Sequence, residues 1–122
     1  MVIAHLGISV VHGWAHAGAQ VFLPPAAMLF VYVVIVAGPV VGLMVLRRRE
    51  RLGAAIIAVT MTAALLFGVV NHFIIAGSDH VSHVDAEWRA LFASTAALLA
   101  IAEAAGAAIA IGYASARRWR AS

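Results

Sequence analysis

The stretch AAMLFVYVVIVAGPVVGLMVL, residues 26–46, runs without a single charge into Arg47-Arg48-Arg49-Glu50-Arg51. At 1.5 Å per residue such a run crosses the roughly 30 Å of a bilayer's hydrocarbon, and arginines clustered at its end mark the cytoplasmic side. Working outward, the double proline of Leu23-Pro24-Pro25 closes a first apolar run that starts at Met1, because proline cannot continue a helix. A third run leaves the arginine block and opens into the polar stretch Gly77-Ser78-Asp79-His80-Val81-Ser82-His83-Val84-Asp85. A fourth ends at Arg117-Arg118-Trp119-Arg120. The pattern predicts a single all-α transmembrane domain over residues 1–122. It is an integral membrane four-helix bundle with spans at 2–22, 26–46, 52–76 and 88–113 and short antiparallel hairpin connections. Both basic clusters fall on one side, so both termini are expected in the cytoplasm. Ala17-Gly18-Ala19 resembles a signal-peptide cleavage site, but no Lys or Arg precedes the apolar run, so it is read as a span.

Composition agrees. Of 122 residues, 65% are hydrophobic and 11% charged, against about 45–50% and about 25% in soluble domains; mean hydropathy is +1.03. The formal charge of +3 comes from arginines bunched beside apolar runs, which is a topology signal and excludes a nucleic-acid partner. The expected partners are the lipid bilayer and, through small-residue faces such as Gly38 with Gly42, Ala64 with Gly68 and Ala102 with Gly106, a homo-oligomer or larger membrane complex. The chain has no Cys. Disulfides, thiolate metal sites and thiol catalysis are therefore excluded, and any metal must be held by histidine, carboxylate or backbone.

Six histidines carry the functional signal. His5, Ser9, His12, His16 and Gln20 recur at spacings of three or four and share one helical face. A row of such groups is costly against lipid and should face the interior, a cavity or a cofactor. His12 and His16 lie one turn apart, as in the zinc-protease H-E-x-x-H, but Gly13-Trp14-Ala15 stands between them and offers no general base. Counted from the outer ends of their spans, His16 lies about 6 Å deep, His72 about 7 Å and His12 about 12 Å. Asp79, His80 and His83 join them from the following loop. The candidate metal ligands are thus His12, His16, His72, His80, His83 and Asp79, for zinc, copper or iron, all of which accept imidazole. The ion would support catalysis or redox chemistry at the membrane.

Two other readings stand beside this one. Haem b, as in membrane cytochromes or their anchor subunits, would take His16 and His72 as axial ligands, with Gly13, Gly18 and Gly68 leaving room for the macrocycle. His5 and Glu103 share a depth near the inner leaflet, about 22 and about 25 Å from the outer ends of their helices. They are expected to pair, as a structural lock or as part of a proton or ion path. The pairs His12-x-x-x-His16 and His80-x-x-His83 resemble the histidine boxes of membrane di-iron hydroxylases and desaturases, yet the chain has too few histidines and too little length for that family.

Overall fold

A computed structural model describes residues 1–119, with side chains through residue 116; Arg117, Arg118, Trp119 and Arg120, expected to form the second basic cluster, lie outside the described side chains. Among the described residues the chain is all-helical. Helix α1 spans Val2–Gly18, α2 spans Pro25–Leu46, α3 spans Glu50–Ile74 and α4 spans Ala86–Trp119. The last three are long and apolar enough to cross a membrane. At 17 residues, α1 is about 25 Å long and sits at the lower limit for a crossing.

The surface agrees with a lipid solvent. Ile3, Val10, Val59 and Ile101 are 79, 73, 68 and 65% exposed, while His5, His12, His72, Asp79, Thr95 and Glu103 are buried. A water-soluble protein distributes these residue types the other way round.

Helix α1 stops four residues earlier than the sequence pattern implies. It closes in a Schellman turn, in which Val21 N–H bonds to His16 C=O (3.0 Å) and Gln20 N–H to Ala17 C=O (3.2 Å). Gln20 takes the left-handed conformation, φ 55°, that this motif requires just past a helix end. Gln20 is consequently exposed and leaves the histidine face. Pro25 then occupies the first turn of α2, where its missing N–H costs nothing.

Two helices contain π-helical turns. In α2 the stretch Val31–Ala37 is wound this way just before Pro39. Proline can neither donate to the carbonyl four residues back nor tolerate it at α-helical distance, and widening the preceding turn relieves both. In α3 the last turn, Val70–Ile74, is also a π turn, closed by Ile75 N–H on Val70 C=O (2.8 Å). It carries His72, whose own carbonyl accepts from Val81 N–H (3.0 Å) and ties the polar loop down onto the helix end.

Close backbone approach explains the α2–α3 hairpin. A Cβ on Gly53 would collide with the backbone of Leu46, and one on Gly42 would stand 2.6 Å from Ile57 Cγ1. Helix α4 packs on α3 through Gly106, whose missing Cβ is filled by Met61. It packs on α1 at both ends, through Val2 with Ala107 and Ala110 and through Ala15 with Phe92. The packing order is therefore α2, α3, α4, α1. Short turns predicted that α1 would lie along α2, but α1 packs chiefly on α4 and meets α2 only sparsely, near Gly38–Leu46. The gap so left between α1 and α2 is a cavity of about 590 Å³.

Candidate metal centre

Three of the predicted ligands meet. His12 and His16 come from one face of α1 and His72 from the π turn of α3. One ring nitrogen from each lies within 4.8 Å of the others, a group that can hold a metal ion. The rings contact edge to face, His12 with His16 at 4.8 Å and His12 with His72 at 4.9 Å between centroids, with His16 and His72 at 5.7 Å. Phe92 of α4 touches all three, at 4.7 to 5.2 Å, and walls the cluster on its α4 side.

The hydrogen bonds around the rings assign two of the three protons. His16 Nδ1–H donates to the Val21 carbonyl (3.1 Å), which the Schellman turn places there, and His72 Nδ1–H donates to the Asp79 carbonyl (3.0 Å). Thr95 lies 2.7 Å from the Leu91 carbonyl and 2.8 Å from His12 Nδ1; it donates to the carbonyl and accepts from His12 Nδ1–H, or donates to His12 Nδ1 when the imidazole proton is on Nε2. A neutral imidazole has one N–H. Neutral His16 and His72 therefore carry no proton on Nε2, whereas His12 has its proton on Nδ1 toward Thr95 or on Nε2 toward His72.

His12 Nε2 and His72 Nε2 stand 3.2 Å apart. Without a cation a proton on His12 Nε2 bridges them; with one, His12 keeps its proton on Nδ1, where the Thr95 oxygen accepts it. A tetrahedral ion bound at 2.0–2.1 Å places neighbouring ligand nitrogens about 3.3 Å apart, so this pair already has the spacing of a ligand edge. Holding the remote ring nitrogen through a carbonyl or hydroxyl is also how metal-binding histidines are oriented.

Asp79 supplies negative charge. Its Oδ1 lies 3.4 Å from His16 Nε2 and 3.3 Å from His72 Nδ1. These distances suit an ion pair only with a protonated ring, and among the described residues both carboxylate oxygens are buried without a hydrogen-bond partner. A buried carboxylate is costly unless a cation or donors compensate it.

The loop histidines stay apart from the cluster. His80 and His83 face each other at the surface, ring centroids 5.6 Å apart, with His80 Nδ1 on Ser82 Oγ and His83 Nδ1 on the Gly77 carbonyl. Asn71 bonds within its own helix, to Phe67 C=O. Deeper, the expected pair forms: His5 Nε2 and Glu103 Oε1 are 3.1 Å apart and both side chains are buried. Ser9 donates to the His5 carbonyl, and His5 Nδ1 has no hydrogen-bond partner among the described residues. Of the three glycines expected to make room for a macrocycle, Gly13 and Gly68 line the cavity, whereas the space at Gly18 is filled by the Trp88 indole.

Phe92 and Thr95 are the site residues that the sequence reading missed. A signal was present, since residues 92, 95, 99 and 103 share one face of α4. Thr95 and Glu103 are the polar residues on that face, so the polar stripe of α1 has a counterpart opposite it.

No protein-family model, curated protein or solved structure matches this chain.

Proposed function

We propose that this protein holds one transition-metal ion in the outer half of four membrane-crossing helices and uses an open coordination position for catalysis or redox chemistry. The supporting observation is the convergence of three imidazoles, one nitrogen of each within 4.8 Å of the others, beside a buried carboxylate without hydrogen-bond partners among the described residues. His12, His16 and His72 are the ligands; Asp79 is the fourth ligand or balances the charge. Imidazole with one carboxylate suits zinc, copper or iron, not the oxygen-seeking magnesium or calcium. An ion held by three histidines would keep a position for water or substrate, polarising it if the metal is zinc and exchanging electrons if it is copper or iron.

Haem is the weaker reading. His16 and His72 would have to stand on opposite faces of a macrocycle, but the three rings form a compact triangle, His16 and His72 5.7 Å apart and His12 in edge contact with both. A through-membrane proton or ion path has support in the His5–Glu103 pair, but Val2, Ile57 and Met61 form an apolar layer toward the inner end. The positive-inside rule favours the arginine turn in the cytoplasm and the metal centre near the other face.

Metal analysis of protein purified in detergent tests the reading. About one zinc, copper or iron per chain is expected, falling to background in the His12→Ala, His16→Ala double variant. Equal metal content in parent and double variant would overturn it.

A further inference from the structure

The cavity between α1 and α2 bears on what the ion acts upon. At about 590 Å³ it falls within the roughly 300–1,000 Å³ of small-molecule sites. His12, His16, His72 and Asp79 line it, Ser9, Tyr32 and Glu103 are its other polar side chains, and the rest of the wall is apolar, with Val10, Met28, Val31, Ile35 and Leu99 among it. The α2 wall belongs to the π-helical stretch Val31–Ala37, and π turns inside α-helices recur at functional sites. The side toward which it opens is apolar, with Val10, Tyr32 and Phe22 at the rim all strongly exposed. In a bilayer that rim faces acyl chains, so a molecule dissolved in the membrane reaches the ion sideways without crossing water.

We propose that the cavity binds a single-chain, lipid-soluble molecule whose oxygen head group ligates the ion at His12, His16 and His72 and whose alkyl or isoprenoid tail leaves between α1 and α2 toward the bilayer. The proposal rests on the metal reading above. A small water-soluble ligand would leave the apolar wall uncovered, and a protein helix is too wide to enter a space that ends at buried ligands. A chelating head group satisfies the ion, and the tail fills the space along the apolar wall, gaining by packing as groups within a bilayer do.

The test uses full-length, metal-loaded protein in phosphatidylcholine nanodiscs, with metal content measured first. Binding of dodecanehydroxamic acid is compared with that of acetohydroxamic acid, which has the same chelating head and no tail. The long-chain compound is expected to bind at least about tenfold tighter, a gain of about 1.4 kcal/mol. Ala100→Trp and, from the opposite wall, Val36→Trp fill the cavity. Each should cancel the gain while keeping the metal and the acetohydroxamate affinity, whereas Val59→Trp, on the outer surface, should preserve it. A chain-length gain that is absent, that survives both filling variants, or that is equal in metal-free protein overturns the proposal. Metal-free parent protein would instead overturn the metal reading on which it rests.

Discussion

Thr95→Val separates a metal-binding role for His12 from a merely structural one. The substitution keeps the side-chain shape and removes the hydroxyl oxygen, 2.8 Å from His12 Nδ1, that must accept its proton when Nε2 is a metal ligand. Thr95 is 5% exposed, so water cannot replace it, and an orphaned Nδ1–H would cost about 1–3 kcal/mol. The metal-free protein has an escape. His12 can move its proton to Nε2 and donate to the bare His72 Nε2, already 3.2 Å away. The metal-bound protein has none, because Nε2 is needed as a ligand. The cost therefore falls on metal affinity and not on folding. Loss of a group that orients a metal-binding histidine weakens metal affinity about 10- to 100-fold, equivalent to about 1.4–2.7 kcal/mol. Competition against a chromogenic chelator measures this, with thermal unfolding of the metal-free protein as control. The expected result is a dissociation constant raised by that factor, a melting temperature shifted by a few degrees at most, and restoration by Thr95→Ser. An unchanged dissociation constant, alongside a His12→Ala variant that has lost affinity, would refute the proton assignment.

Three further outcomes follow from the fold. Gln20→Gly should stabilise the protein by about 0.5–1 kcal/mol in thermal or denaturant unfolding, because relief of about 1–2 kcal/mol of left-handed strain exceeds the entropy that glycine adds to the unfolded chain; a loss of stability would contradict the Schellman turn. Gly53→Ala places a Cβ against the rigid backbone of Leu46 and should cost about 1–3 kcal/mol or more, whereas Gly7→Ala meets nothing within 4 Å and should be tolerated. Because the chain has no Cys, single cysteines report topology: Ser82→Cys should react with an impermeant maleimide from outside intact cells and Arg49→Cys should not, the reverse pattern contradicting the orientation.

Much of the site was legible because helical periodicity converts spacing into geometry. The repeat of His5, His12 and His16 fixes one face of α1, and residue rise alone put His5 level with Glu103, where the structure pairs them. The same arithmetic brought His72 to His12. Loop residues had no such ruler. Asp79, His80 and His83 are close in sequence and chemically equivalent as ligands, but tertiary hydrogen bonds send only Asp79 inward, through Val81 N–H on the His72 carbonyl. The π turn at Val70–Ile74 was equally hidden, since a one-residue change in winding leaves no mark on composition. Residue spacing also fixes faces but not partners, so the gap between α1 and α2, and with it the cavity, emerged only from the packing of α1 on α4.

X-ray absorption at the metal edge of the loaded protein tests the central claim most directly. The account predicts three imidazole nitrogens at about 2.0–2.1 Å with one or two oxygen ligands completing the shell, and one imidazole fewer in His72→Ala. A shell of oxygens alone, a porphyrin signature, or a spectrum that His72→Ala leaves unchanged would contradict it.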